Sequence, residues 1–199
     1  MFHGLTADRL IADCYFFYTG NMTETAFLGG GCFWCLEAVF DRVSGVKSVE
    51  SGYMGGHVDN PAYRQVCAGT TGHVEIVRVI FDPNEISYRD LLEIFFAIHD
   101  PTTLNRQGND VGTQYRSVVF YNSEEQRKEA EETIARLNAA RTYPSPIVTA
   151  IEPASKFFVA EDYHQEYYEN NSSQPYCQFV VAPKLQKFEK YFSARMKAS

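Results

Sequence analysis

The order of hydrophobic and polar residues along the chain predicts a mixture of short strands and helices. Residues 74–81 give the clearest strand, because alternate positions form two faces and one face is apolar except for Glu75. A short apolar run at residues 25–28 predicts another buried strand. Residues 36–43 carry apolar side chains at helix-like spacing and predict the first helix.

The same pattern predicts the rest of a single domain. Ser87, with Asp90 three residues on, is the predicted cap of a helix that runs to residue 98. The remaining predicted elements are strands at residues 45–53, 117–121 and 147–151, helices at 123–141, 161–168 and 184–196, and an extended piece at 176–181. Strands and helices mix without strict alternation, which predicts an α+β two-layer sandwich. We expect a mixed or antiparallel sheet with helices packed on it, with a ferredoxin-like arrangement as the leading form.

A glycine-rich turn at residues 29–31 joins the first strand to the first helix and places Cys32 at the helix N-terminus. Free backbone N–H groups and the helix dipole favour a thiolate there, so the position predicts a lowered cysteine pKa. Phe33 and Trp34 add aromatic faces that suit a methyl or thioether group. The same residues also fit a plain turn followed by core aromatics, with Cys32 and Cys35 as buried small side chains.

Two further features leave a structural and a functional interpretation open. Glu75 is either a solvated residue at a strand end or a desolvated acid with a raised pKa that can give a proton. The polar run at residues 99–116 is long for a connector. Loops of that length usually carry function or are disordered.

Composition narrows the class of protein. The chain has 199 residues, of which 45% are hydrophobic, and this is enough for the core of one domain. A net charge of −7 argues against a nucleic-acid or anionic-membrane surface. No apolar run approaches the roughly 20 residues that span a bilayer. One Cys-x-x-Cys pair without a second pair predicts no metal site, and we expect no cofactor.

The number of cysteines indicates the cellular compartment, and the first 21 residues indicate where the domain begins. Five cysteines in a well-cored chain favour reactive thiols in a reducing, cytoplasmic compartment over a disulfide scaffold. Residues 1–21 lack the basic region and cleavage site of a secretory signal. We expect an extension that is poorly structured or artefactual, in which Cys14 is incidental, followed by a single domain at residues 22–199. A genuine leader is the alternative.

Several separated motifs, in order from about residue 25 to about residue 185, carry a resemblance to a known family. They are Gly-Cys-Phe-Trp at residues 31–34 with Glu37, Ser-Gly-Tyr-Met-Gly-Gly at 51–56, Asn-Pro-x-Tyr-x-x-Val-Cys at 60–67, Thr-Gly-His-x-Glu at 71–75 and Asn-Arg-Gln-Gly-Asn-Asp-x-Gly-Thr-Gln-Tyr-Arg-Ser at 105–117. This set resembles the peptide methionine sulfoxide reductase family of the A type.

The resemblance implies an α+β sandwich that reduces the S epimer of methionine sulfoxide, free or in proteins, to methionine. By position, Cys32 would be the nucleophile that attacks the sulfoxide sulfur. Glu75 would be the acid that protonates the sulfoxide oxygen. Residues 22–199 would then be the catalytic domain.

The resemblance also assigns the residues around that centre. Tyr63 and Tyr115 match tyrosines that hydrogen-bond the sulfoxide oxygen. Asp110 matches a carboxylate that orients the bound amide or a water. Phe33 and Trp34 match the hydrophobic pocket for the substrate methyl group.

A second thiol must reduce the sulfenic acid left on Cys32. Cys35 lies within one helical turn, where a Cys-x-x-Cys disulfide is sterically familiar, and it is the favoured resolving residue. Cys177, at about the place of the family's C-terminal cysteine, is the second candidate, and Cys67 is expected to be structural. By analogy the electron donor would be thioredoxin, and a monomer is the expected state.

Other assignments remain as alternatives. A thiol-disulfide oxidoreductase would need only Cys32 and Cys35 and would act on disulfides without Glu75 or the tyrosines. A non-catalytic module that binds methionine-rich or oxidised segments would keep its function when Cys32 is replaced by serine. For His73 and His164 a hydrogen-bonded structural role is favoured.

Overall fold

The computed structural model describes residues 22–198, and the predicted extension with Cys14 lies outside them. Helices in the described part are α1 (Phe33–Phe40), α2 (Tyr63–Cys67), α3 (Tyr88–Ile98), α4 (Glu124–Ala139), α5 (Tyr167–Asn171) and α6 (Ala182–Phe192). Its strands are β1 (Glu24–Gly30), β2 (Val46–Met54), β3 (Val74–Phe81), β4 (Arg106–Gln107), β5 (Asp110–Val111), β6 (Ser117–Tyr121), β7 (Ala150–Pro153) and β8 (Phe158–Val159). None of the helices in residues 22–198 is long and apolar enough to cross a bilayer.

Six strands form one mixed sheet in the order β7-β6-β1-β3-β2-β8, and β4 pairs with β5 as a separate hairpin. All neighbours in the large sheet are antiparallel except β6 and β7, which run parallel. The register sets Leu28 of β1 beside Val77 of β3, and Tyr53 of β2 beside Glu75. An α+β fold with a mixed sheet and packed helices is therefore confirmed.

The alternation along β3 divides its side chains between two cores. Val77, Val79 and Phe81 pack with α1, α3 and α6 in the larger core, whereas Val74 and Ile76 belong to a smaller core on the other face of the sheet. Each residue points to the face opposite its neighbour, so Glu75 lies on the same face as Val77. Its carboxyl group is thereby placed under the start of α1.

Local sequence explains where the long helices begin. Ser87 Oγ accepts a hydrogen bond from the backbone N–H of Asp90 at 3.1 Å, and the Asp90 carboxylate accepts one from the N–H of Ser87 at 3.3 Å. This reciprocal cap starts α3 as predicted. Ser123 caps α4 in a similar way through the N–H of Gln126.

Two segments differ from the expectation. The extended piece predicted at residues 176–181 is wrong, because Cys177–Val181 forms a π-helix that continues into α6. The pattern Tyr-Cys-Gln-Phe-Val-Val looks strand-like, but its apolar residues Cys177 and Val181 are buried against helices rather than in a sheet. Residues 60–69, for which the sequence predicted neither a helix nor a strand, contain the short helix α2.

Candidate active site

Cys32 lies in the turn between β1 and α1, and the residue before it, Gly31, must be a glycine. Gly31 has φ +92°, and a Cβ there would lie 2.6 Å from Cγ of Gln107. Cys32 follows as the last residue before α1, and its side chain is only 6% exposed. The backbone N–H of Cys35 donates to the carbonyl of Cys32 at 3.1 Å, which closes the first turn. The two thiols contact each other inside the protein.

Glu75 proves to be a buried acid and not a solvated residue at a strand end. It is 1% exposed, and its Oε2 accepts a hydrogen bond from the backbone N–H of Phe33 at 3.2 Å. Burial raises the pKa of Glu75 to about 8, although this hydrogen bond opposes the rise. At neutral pH the carboxyl group is therefore mostly protonated and able to give a proton.

The predicted lowering of the Cys32 pKa is wrong. Burial is the main reason that the pKa of Cys32 lies well above its usual value, and the nearby groups of Cys35 and Glu75 add to the rise. The N–H of Phe33 at the start of α1 is occupied by Glu75, so the helix N-terminus does not offer it to the sulfur. A hydrogen bond from Cys32 and the charge of Lys184 instead lower the pKa of Cys35 to about 7.

Tyr63 and Tyr115 lie near Glu75. Tyr63 begins α2, where its backbone N–H donates to Glu161 Oε1 at 2.9 Å, and Tyr115 ends a 3-10 turn at Thr113–Tyr115. Burial, with the nearby charge of Glu75, raises the pKa of both phenols far above the usual range. Both hydroxyls therefore stay protonated and can donate hydrogen bonds.

Asp110 joins the site through a residue that the sequence reasoning missed. Tyr176 donates a hydrogen bond from its hydroxyl to Asp110 Oδ2 at 2.9 Å, and the same hydroxyl contacts the Cys32 thiol. Tyr176 lies directly before the π-helix, so it covers Cys32 from the C-terminal part of the chain. Only its position next to Cys177 could have marked it in the sequence.

Phe33 and Trp34 occupy different environments. Phe33 is fully buried, with its ring centroid 5.8 Å from that of Tyr53. Trp34 is half-buried and stacks on Tyr167 at 3.6 Å between ring centroids. Its indole N–H donates to Nδ1 of His164 at 3.2 Å. The two rings make an aromatic wall at the start of α1, beside the cysteine pair.

Both ring nitrogens of His73 form hydrogen bonds, whereas only one ring nitrogen of His164 does so within residues 22–198. His73 accepts from the N–H of Gly56 at 3.1 Å through Nδ1 and donates to the carbonyl of Val58 at 2.8 Å through Nε2. His164 accepts from Trp34. These contacts fit the structural interpretation for His73, and for His164 that interpretation stays a prediction. No cluster of three or more histidine, cysteine or acidic side chains suited to a metal occurs among residues 22–198.

The two remaining cysteines of the described residues, Cys177 and Cys67, lie in different surroundings. Cys177 is fully buried in the π-helix, and burial together with the nearby sulfur of Cys35 raises its pKa. Cys67 is half-buried at the end of α2 and contacts the Tyr63 hydroxyl. All four cysteines in the described residues are free thiols.

The structure thus brings together every residue that the sequence marked around Cys32. The set contains a sulfur nucleophile, a protonated carboxyl group, two phenols and a second thiol in contact with the first. Such a set can attack an electrophilic centre, protonate the oxygen bound to it, and then form a disulfide. The aromatic wall suits a substrate group without charge.

Comparison with known proteins agrees with this geometry. A family model described as peptide methionine sulfoxide reductase matches residues 24–196. Peptide methionine sulfoxide reductase MsrA of Deinococcus radiodurans is 58% identical over 178 residues, which cover 89% of this chain and 86% of that protein. The MsrA of Chromobacterium violaceum is also 58% identical, over 85% of this chain and 97% of its own.

Solved structures give the same result. Mxr1 from Saccharomyces cerevisiae in reduced form superposes with a TM-score of 0.71 at 35% identity, covering 78% of this chain and 89% of that chain. Mxr1 in complex with Trx2 gives a TM-score of 0.50 at 27% identity, covering 73% of this chain and 84% of that chain.

Proposed function

This chain belongs to the peptide methionine sulfoxide reductase family, and on that basis we propose the roles of its residues in reducing methionine S-sulfoxide, free or in proteins, to methionine. The observation that carries the proposal is the buried Glu75 carboxyl group, which is bound to the backbone N–H of Phe33, the residue after Cys32. A sulfoxide is a poor electrophile until its oxygen is protonated or strongly hydrogen-bonded. A carboxyl group with a pKa of about 8 supplies that proton at neutral pH.

In the first step the Cys32 sulfur attacks the sulfoxide sulfur while Glu75 gives its proton to the oxygen. The oxygen passes to Cys32, methionine leaves, and Cys32 becomes a sulfenic acid. The proton of the Cys32 thiol returns to Glu75, so the carboxyl group ends the step as it began. The substrate sulfur is reduced by two electrons, and the Cys32 sulfur is oxidised by two.

The surrounding residues support binding and orientation. The hydroxyls of Tyr63 and Tyr115 stay protonated beside Glu75 and donate to the sulfoxide oxygen. Asp110 orients the substrate amide or a water, in exchange for the hydroxyl of Tyr176 that it binds in the free protein. Phe33 and Trp34 contribute the apolar surface for the substrate methyl group.

In the second step Cys35 attacks the Cys32 sulfenic acid, the S–O bond breaks and water leaves. Contact between the two thiols and the low pKa of Cys35, about 7, support Cys35 as the resolving residue. Cys177 is the alternative, since it lies buried next to Cys35, but its pKa is raised. Cys67 contacts Tyr63 and has a structural role.

Thioredoxin then reduces the disulfide. Mxr1 forms a complex with Trx2, and its chain resembles this one, which supports a thioredoxin as the electron donor here. The family match that spans residues 24–196 supports residues 22–199 as a single catalytic domain. We propose that this domain acts as a cytoplasmic monomer. The β1-α1-β2-β3-α3-β6 connection with strand order β6-β1-β3-β2 supports a ferredoxin-like two-layer sandwich.

The other two functions are less well supported. Disulfide exchange by Cys32 and Cys35 requires no protonated acid next to the sulfur. This function therefore does not explain why Glu75 is buried. A binding module for oxidised segments would need neither Glu75 nor two thiols in contact.

Single-turnover chemistry tests the proposal. Fully reduced protein is mixed with S-methionine sulfoxide without any reductant, methionine is counted, and the new disulfide is mapped by peptide mass. We expect about one methionine per chain and a bond between Cys32 and Cys35. Cys32→Ser should release none, and Cys67→Ser, the matched control, should behave like the unaltered protein. No methionine from the unaltered protein, with its thiols still reduced, would contradict the reductase function.

A further inference from the structure

Lys184 stands out as a cation next to the cysteine pair that the mechanism has not used. It lies in the first turn of α6, a helix that packs against α1, and it lines a groove together with Asp110 and Tyr176. Its side chain is half-buried. Within residues 22–198 no carboxylate oxygen lies within 4 Å of its ammonium group, whereas Lys47, for example, pairs with Glu85 at 2.5 Å. The ammonium group lies beside the Cys35 thiol instead.

We propose that Lys184 is the positioning residue of the resolving step, holding Cys35 as a thiolate beside Cys32 until the sulfenic acid has formed. This inference rests on the proposed function, because it assigns a role within the second step. A thiolate next to a lysine is stabilised by the positive charge and is the form that attacks sulfur.

The step balances without any further reactant. The Cys35 thiol gives its proton to solvent, and its sulfur attacks the Cys32 sulfur. The new S–S bond forms as the S–O bond of the sulfenic acid breaks, and the oxygen leaves with a proton as water. Each sulfur of the disulfide ends at the same oxidation level, Cys35 oxidised by one electron and Cys32 reduced by one.

The other groups that face Cys35 do not favour its thiolate by charge. The ionisable groups acting on it from its own helix, from β3, from β5 and from the C-terminal part of the chain are Cys32, Glu75, Asp110, Tyr176, Cys177 and Lys184. All except Lys184 are acids, so their ionised forms repel a negative sulfur. The hydrogen bond from Cys32 favours the thiolate, but Cys32 can no longer give that bond as a thiol once it is oxidised. The positive charge of Lys184 is present before and after that oxidation.

The test separates the two steps by rapid quench of a single turnover between pH 5.5 and 9. Methionine release reports the first step. Disulfide formation, followed by alkylation and peptide mass, and sulfenic acid trapped by dimedone report the second. Lys184→Met removes the charge, Lys184→Gln does so with a polar side chain, and Lys184→Arg keeps it. Lys187→Met, one turn further along α6 and exposed, is the matched control.

Lys184→Met and Lys184→Gln should release methionine at the rate of the unaltered protein. At pH 7 their disulfide should form about twofold more slowly, because the thiolate fraction falls about fivefold while each thiolate becomes about threefold more nucleophilic. The midpoint of the pH profile should move upwards by about one unit, and trapped sulfenic acid should accumulate. Lys184→Arg and Lys187→Met should keep the original profile.

An unchanged pH profile of disulfide formation in Lys184→Met or Lys184→Gln overturns the role of Lys184 and leaves the reductase function standing. Equal slowing of methionine release and disulfide formation also overturns it, because the charge would then act before the resolving step. If Lys184→Met fails to fold, Lys184→Gln and Lys184→Arg decide the question. Failure of the unaltered protein to release methionine rejects the proposed function itself, and this outcome is seen before any variant is compared.

Discussion

At the scale of single residues, the position of Glu75 sets the pH behaviour of the site. The carboxyl group is buried, accepts the N–H of Phe33, and has a pKa of about 8. Below that pH it carries the proton that the sulfoxide needs, and above it the proton is lost. Catalysis and stability therefore respond to the same ionisation in ways that can be measured separately.

Replacing this acid should remove the first chemical step. Glu75→Gln keeps the shape of the side chain but cannot give a proton, so we expect methionine release to fall about 10²- to 10⁴-fold. In the unaltered protein the rate of methionine release should decline as pH rises above about 8. Glu24→Gln, at the exposed start of β1, is the control for loss of a carboxylate from the sheet. A Glu75→Gln protein with the rate of the Glu24→Gln protein would contradict the role of Glu75.

The same substitution should stabilise the protein, with a defined pH dependence. The folded pKa of Glu75 lies above the value of about 4.3 in an unfolded chain, so the folded state binds the proton more tightly. The stabilisation that this proton gives is present below about pH 4.3 and is lost as pH rises to 8. The free energy of unfolding of the unaltered protein, relative to that of Glu75→Gln, should fall by up to about 4 kcal/mol between pH 5 and pH 8. Urea unfolding at several pH values measures this loss, and parallel curves would contradict it.

At the scale of elements, the site is closed by residues 167–181, here called the covering segment. Glu37 of α1 holds its start by accepting the N–H of Tyr167 at 3.2 Å, and Trp34 stacks on the ring of the same residue. Tyr176 holds its middle through Asp110 and Cys32. We therefore expect that the hydroxyl of Tyr176 gives up these contacts when substrate reaches Cys32.

Removal of Tyr176 should therefore expose the nucleophile. A hydrogen bond to a charged group contributes about 1.5 to 3 kcal/mol. Tyr176→Ala should make alkylation of Cys32 by iodoacetamide at least about tenfold faster, measured by peptide mass at early times. Tyr191→Ala, on an exposed part of α6, is the matched control. Equal alkylation rates in the two variants would show that Tyr176 does not cover Cys32.

The elements also show what the sequence could predict and what it could not. The strand of Glu75 was predictable because alternation along β3 repeats over eight residues, with one face buried in the larger core and the other in the smaller core. The π-helix at Cys177–Val181 was not, because a run of five mostly apolar residues looks like a strand unless its helical neighbours are known. The short α2 is stabilised by the Gln65 side chain, which accepts the N–H of Ala62, a contact that no hydrophobic pattern reveals.

Some residues of the site could likewise be predicted from the sequence, and others could not. Cys32, Glu75, Tyr63, Tyr115 and Asp110 were marked by motifs and lie together in the structure. Tyr176 and Lys184 reach the same place from far along the chain, and only folding brings them there. The pKa of Cys32 was predicted in the wrong direction because burial depends on the whole structure, whereas the helix N-terminus is visible locally.

At the scale of the whole molecule, the two possible disulfides would close loops of very different length. A Cys32–Cys35 bond spans one helical turn and should stabilise the folded state by about 2 kcal/mol in the chain-entropy model. A Cys32–Cys177 bond would close a loop of about 150 residues and contribute about 5 kcal/mol. We expect the smaller value when protein oxidised by one turnover is compared with reduced protein in urea unfolding. The larger increase, absent in Cys177→Ser, would identify Cys177 as the resolving residue.

The stack of Trp34 on Tyr167 has an optical consequence. Trp34 is the only tryptophan of the chain, and its ring is held between Tyr167, His164 and Tyr176 next to the cysteine pair. Indole emission is sensitive to neighbouring sulfur and to solvent, so we expect oxidation of the cysteine pair and opening of the covering segment to change the emission of this ring. The molecule thus carries an intrinsic fluorophore at its reaction centre, and stopped-flow emission can follow each turnover and each reduction by thioredoxin without an added label.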